Sequence, residues 1–548
     1  MYKRKRRYNR QETDEINSVA KGKSVEATGP PLAGEPHIPV SGDIGVVRQA
    51  VLDILGSPPD LAFREFSFGT TRPVRCLVAH IDGLTDPVSV ADNLIRPLVE
   101  LPQLAPDAVD ITPTNAADMV KERLTSVWQL RTDNDLGRAV TAMLDGQVLL
   151  FIEGSSEAII AGRRQIPGRQ VDNPDIQQVI RGPREAFTER IRDNTGLIRK
   201  RLSHESLRIE QLRIGRLTNT VVCLVWIEGI VSPKVLEEAR KRLKRIDIDA
   251  IIDSGYIEEL IEDQPWSPFP TVYNTERPDS FCASLLEGRV GILTDGSPEG
   301  LIVPASFVMF FQSAEDYYQR FHITLLIRLI RLIAAFLSLL LPSIYIAATT
   351  FHHEMIPTAL LLSIAAGRET VPFPAVIEAL FMVFAFEILR EAGIRLPGIV
   401  GQAVSIVGAL VIGQAVVSAG VVSSFMVIVI ALTEIASFAL PFYDMGATLR
   451  ILRYPIIVLA ASLGVFGIII SLLAMLIHLC SLRSFGSPYL TGISPFIPRD
   501  VHDIFVRVPW PMMRWRPRLA GQRHPERQAT GSGPRRPKGR GRENETTD

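Results

Sequence analysis

Apolar positions change their spacing three times along this chain. Between about residue 70 and residue 305 they form short β-type runs separated by acidic-glycine turns. From Leu332 to Cys480 they merge into stretches almost free of charge, and towards both ends they thin out. CLVAHI (76–81) and VVCLVWI (221–227) read as buried strands, and each ends in a turn: Ile81-Asp82-Gly83 and Ile227-Glu228-Gly229. VLLFI followed by AIIA, and VGIL followed by GLIV, each bracket an acidic-glycine turn, Glu153-Gly154 and Asp295-Gly296, and predict two hairpins. In VLEEARKRLKRI, Leu236, Ala239, Leu243 and Ile246 recur at helical spacing, which predicts an amphipathic helix.

These elements occur twice. Leu144-Asp145-Gly146-Gln147-Val148 aligns without a gap to Leu286-Glu287-Gly288-Arg289-Val290, and Glu153–Glu157 aligns to Asp295–Glu299. An internal duplication giving two α/β lobes, roughly 70–165 and 215–305, is the economical reading.

The apolar half predicts membrane helices, since a bilayer core about 30 Å thick takes about 20 apolar residues. Leu332–Thr350 is the first expected span, with Pro342 as a kink. Ile356–Ala366 is too short to cross alone. Ala375–Leu389, Ile399–Gly420, Val421–Leu440 and Ile456–Cys480 follow. Arg320, Arg328 and Arg331 place the lobes on the cytoplasmic side, and Arg390, Arg395, Arg450 and Arg453 fall on that side too. Five crossings would leave the Arg-rich C-terminal tail outside, against the same rule, so either one segment is a hairpin or the short one also crosses.

The expected organisation is a disordered basic tether at 1–60, a first lobe at 61–180, and a linker helix with the second lobe at 181–320. A transmembrane helical bundle of about five to six segments occupies 321–482, and a basic tail, disordered from about 520, occupies 483–548. The N-terminus starts basic but has no apolar stretch behind it, so it does not read as a secretory signal.

Composition adds exclusions. Lys plus Arg equals Asp plus Glu at 59 each, which argues against nucleic acid as the partner. The four cysteines are scattered, without a metal or disulfide framework, and read as reduced thiols. No phosphate loop, dinucleotide fingerprint or nucleophile elbow occurs, so no catalytic residue, metal or cofactor is assigned.

Two features of the apolar half go beyond anchoring. Gly401, Ser405, Ala409 and Gly413 form one small-residue ridge, which lets helices pack closely in lipid. Glu378, Glu387 and Glu434 lie near membrane depth, where an unpaired acid costs about 2.5–3.5 kcal/mol, so each must pair or line water. Glu378 sits near a helix N-terminus beside Pro374, and Glu387 is three residues from Arg390. Glu434 has no basic neighbour in sequence and is expected to face a cavity or pore.

The motifs TERPD (275–279), LLEGRVGILTDGSPEGLIVPASFVMFFQSAEDYYQRF, LPSIYIAATTFHHEMIPT, REAGIRLP (390–397), IVGALVIGQAVVSAGVVS and SFGSPYL together resemble the A subunits of spore germinant receptors, the GerA family. Arg390, Glu391, Gly393, Arg395, Pro397, Asp295, Gly296 and Pro304 carry the match, which covers about 60 to 515 and omits both tails. The resemblance implies a multi-pass subunit of the bacterial spore inner membrane that assembles with itself, a multi-span B subunit and a lipoprotein C subunit. It implies a nutrient-gated ion channel whose opening triggers germination. A secondary transporter and a non-conducting scaffold are the rival readings.

Overall fold

The computed structural model describes residues 37–69, 73–104, 116–124, 129–162, 173–174, 176–395, 413–494, 496–497, 503–504, 506–517 and 525–528. Three parts follow in chain order: two lobes built on sheets, a set of apolar helices, and a C-terminal segment that returns to the second lobe.

The first lobe begins with α1 (Ile44–Leu55). Asp43 caps this helix by accepting from the Gly45 and Val46 amides, and Ile44, Val47, Val51 and Leu55 face the sheet. The expected tether at 1–60 therefore stops short of α1. Its apolar residues at i, i+3 and i+7 sit within a polar-looking stretch, and they bury against the lobe. The sheet has strands β1 (Leu61–Phe68), β2 (Val74–Ile81), β3 (Gln129–Asp133), β4 (Val148–Ile152) and β5 (Ala158–Gly162), in the order β1-β2-β4-β5-β3. All its pairings are antiparallel. Helix α2 (Leu136–Leu144) runs into β4.

The second lobe repeats this plan. It comprises α3 (Ile191–Arg201), β6 (Leu207–Ile214), β7 (Thr220–Ile227), α4 (Pro233–Arg245), α5 (Ser254–Ile261), β8 (Tyr273–Thr275), α6 (Pro278–Leu286), β9 (Val290–Thr294) and β10 (Gly300–Val303). Its sheet order is β6-β7-β9-β10-β8, again antiparallel. The agreement reaches single hydrogen bonds. The Gly154 amide donates to the Gly42 carbonyl at 2.8 Å, and the Gly296 amide to the Glu189 carbonyl at 2.7 Å. Helix α3, expected as a linker, is thus the second lobe's counterpart of α1.

The lobes meet at α3. Arg199 is fully buried and grips Asp60 through two hydrogen bonds of 2.7 and 3.0 Å. Gly196 lies against the Asp82-Gly83 turn, where a Cβ would come 2.7 Å from the Gly83 carbonyl oxygen.

The helical part contains α7 (Phe321–Thr350), α8 (Thr358–Arg368), α9 (Ala375–Arg395), α10 (Ser424–Phe438), α11 (Tyr443–Leu463) and α12 (Val465–Ser481). Among the described residues, α7 and α11 are long and apolar enough to cross a membrane; α8, α10 and α12 are shorter apolar helices. α7 starts well before Leu332 and continues through Pro342. The expected last span is instead a hairpin. Gly464, at φ 62° and ψ −141°, separates α11 from α12, and Ile468 and Met475 of α12 pack back along Ala460 and Leu452 of α11.

The second lobe and the helices share one core. Phe442 stacks on Tyr273 at 5.0 Å and meets Phe310 edge-on at 4.8 Å. The expected disordered tail is also part of this core in its first third. The Ser484 hydroxyl, wholly buried, accepts from the Ala305 amide and donates to the Thr271 carbonyl, and Tyr489 is buried beside Phe307. The C-terminal segment therefore lies on the lobe side of the helices.

Candidate functional site: charges buried among the apolar helices

Depth makes ionised side chains costly in an apolar bundle, so their partners define the site. Glu434 is the eleventh residue of α10 and only 4% exposed. One of its carboxylate oxygens accepts from Arg453 of α11, and the other from Arg390 of α9. Arg453 is itself fully buried and donates to the Ser338 carbonyl of α7 at 2.8 Å and to the Ser338 hydroxyl at 3.2 Å. One carboxylate thereby ties four helices. The expectation that Glu434 faces a cavity is corrected: its bases stand 44 and 19 residues away in sequence, beyond any neighbour pattern.

Glu387 extends the network. It accepts from Arg390 at 2.9 Å, the i,i+3 pair expected from sequence, and from Arg450 at 3.3 Å. Arg390 also lies over the Phe438 ring, and Arg450 over Tyr443. Arg450 and Arg453, expected as flanking charges that mark the membrane boundary, lie inside α11. The signal available for them was their i,i+3 spacing on one helix face together with an acid in need of a base. Three guanidiniums against two carboxylates leave one positive charge in excess.

A second pair sits at the opposite end of the helices. Glu378, in the first turn of α9, is 1% exposed, accepts from the Ser423 amide at 2.9 Å and pairs with Arg368 of α8 at 3.3 Å. The helix-N-terminus reading of Glu378 is matched by its position, and a cation adds to it. Of the ridge, Gly401, Ser405 and Ala409 lie outside the described residues, as does Pro397. Gly413 lies 3.9 Å, measured from a built Cβ, from Val427 of α10. Arg395 pairs with Glu391 on the surface of α9, and Gly393 lies between them. Asp295 caps α3 by accepting from the Ile191 amide at 3.2 Å, Gly296 takes the positive φ of the turn, and the Pro304 carbonyl accepts from Arg289.

Where the second lobe meets α11, acids crowd together. Burial, with Glu262, Asp444 and Glu299 nearby, pushes Glu258 up to about 8, and burial raises Glu262 and Glu299 as well. Burial pushes the thiols of Cys76, Cys223 and Cys282 up to about 12, which makes them unreactive. Among the described residues no cluster of three metal-ligating side chains occurs.

Two antiparallel α/β lobes, fused through a common core to apolar helices with paired internal charges, define a lobed protein of membrane type. Residues 49–519 match the family model described as Bacillus/Clostridium GerA spore germination protein, and the chain belongs to that family. It is 47% identical over 456 residues to spore germination protein KA of Bacillus subtilis, covering 83% of this chain and 82% of that one. It is 40% identical to spore germination protein GerLA of Bacillus cereus, covering 87% and 96%, and 43% identical to the B. subtilis membrane protein YfkQ, covering 84% and 87%. The crystal structure of the N-terminal domain of the A subunit of the Bacillus megaterium germinant receptor GerK3 is similar at 33% identity and TM-score 0.40, covering 50% of this chain and 99% of that one.

Proposed function

We propose that this chain is the A subunit of a nutrient germinant receptor in the spore inner membrane, and that its helices span the bilayer as a multi-pass bundle. On this reading both lobes and the C-terminal segment face the cytoplasm, and the lobes descend from one duplicated unit. The observation that carries it is the paired charge network inside apolar helices: lipid around the bundle requires every internal charge to be matched, and the described ones are. The return of the C-terminal segment to the second lobe supports an even number of crossings, which removes the conflict with the Arg-rich tail.

The receptor acts by opening a cation route when nutrient favours one of two arrangements of its helices. The network around Glu434 locks the bundle and does not line the route, because its excess charge is positive and repels cations. The route then runs between copies of the chain, with a multi-span B subunit and a lipoprotein C subunit completing the assembly. Deleting the chain from its sporulating host and recording cation release after nutrient addition tests this. Loss of release, restored by the intact gene, is expected; release at the parental rate contradicts the reading.

A further inference from the structure

Beside α7 the second lobe leaves a cavity of about 660 Å³, within the range of about 300–1,000 Å³ that ordinary ligand sites occupy. Leu329, Leu332 and Phe336 of α7, Met475 of α12, Phe311 and Ile504 give it an almost wholly carbon wall. Arg328 is the buried charge in that wall. Its Nε donates to Asp316 at 3.2 Å, and its Nη1 to the Asp503 carbonyl at 2.6 Å and carboxylate at 3.2 Å. Its Nη2 is buried and meets no acceptor among the described residues. An unmet buried donor costs about 1–3 kcal/mol, so an oxygen from a bound molecule belongs there.

We propose that this cavity holds one membrane phospholipid, with an acyl chain along Leu329–Leu339 and an ester or phosphate oxygen on Arg328. The proposal rests on the membrane reading above. The shape fits an extended chain: from Arg328 to Leu339 the wall runs about 16 Å at about 1.5 Å per residue. The surroundings favour lipid over protein as the occupant. The outer face of α7 that continues from the cavity exposes Leu326, Ile330 and Ile333, so the cavity opens along a surface that a bilayer covers. Exposed His322 stands at the head end and offers a second polar contact.

The full chain, reconstituted in vesicles containing a phospholipid with a photoreactive acyl chain, gives a direct test by mass-spectrometric mapping of adducts. Ile469 and Ile477 on the exposed face of α12 report ordinary contact with the bilayer. Adducts on 307–311 and at Ile504 or Val506 report the cavity, because these segments lie outside the helices. Both sets are expected in the native chain, and Ala335→Trp, which fills the cavity, should abolish only the second. Adducts on α12 with none at 307–311 and 504–506 overturn the lipid site and leave the membrane reading standing; no adducts on α12 overturn the membrane reading. Cavity adducts that persist in Ala335→Trp also overturn the site, as does disulfide pairing of Val506→Cys between two copies, which would make a second chain the occupant.

Discussion

Glu434 holds two guanidiniums in place inside the bundle, so its charge matters more than its shape. Glu434→Gln leaves the fully buried Arg453 with only Ser338 as a partner. Breaking a buried pair from one side costs about 3–5 kcal/mol, and that loss should appear as a large drop in the unfolding temperature of the full chain in detergent. Glu391→Gln, at an exposed pair, should cost no more than about 1 kcal/mol. Equal drops would remove the network from the account. Glu258 gives a pH signature outside the helices. Its carboxyl titrates near 8 in the folded chain against an ordinary value of 4.5, so the folded state holds a proton that the unfolded state has released. This contribution is fully present below pH 4.5 and is lost as pH rises through 8. A stability profile of the native chain should fall across that window, and Glu258→Gln should flatten it; parallel profiles would contradict the assignment. The acids were legible in the sequence and their partners were not. Spacing rules see residues three or four apart, whereas Arg390 and Arg453 reach Glu434 through tertiary packing.

At the scale of elements, the sequence read well wherever local pattern and turn chemistry agreed. Both hairpins, both buried strands and the amphipathic helix α4 lie where their periods place them, although α4 buries Val235 with Ala239 and Leu243 and leaves Leu236 partly exposed. The failures share a cause. Ile456–Cys480 is uniformly apolar, and hydropathy is blind to a chain reversal inside a uniform run. Gly464 supplies the break through a backbone conformation that is nearly glycine-only. A Cβ there would also come 2.8 Å from the His352 ring. Gly464→Ala should destabilise the α11–α12 hairpin by about 1–3 kcal/mol, whereas exposed Ser462→Ala should change little. Thermal unfolding of the two variants decides it, and indistinguishable curves would mean the hairpin turn does not depend on this glycine.

At the scale of the whole molecule, three parts behave as a graded unit. The first lobe reaches the rest through α3, chiefly by Arg199–Asp60 and the Gly83–Gly196 approach, whereas the second lobe, the helices and the C-terminal segment share one aromatic core. A change in the helices is therefore felt first by the second lobe, through Phe442 against Tyr273 and Thr448 against the Pro268 carbonyl. The tail looked disordered because its Gly, Pro and Arg content hides a few anchoring residues, Ser484, Phe485 and Tyr489, whose partners lie about two hundred positions upstream.

The central claim, that the helices cross a bilayer with both lobes and the C-terminal segment on one side, is tested most directly by labelling single cysteines in sealed, oriented vesicles with a membrane-impermeant thiol reagent. In a cysteine-free background, Leu217→Cys on the second lobe and Glu526→Cys on the C-terminal segment should react from the same side. Met355→Cys, exposed beyond the far end of α7, should react only from the other. Labelling of all three from one side of intact vesicles would contradict the account.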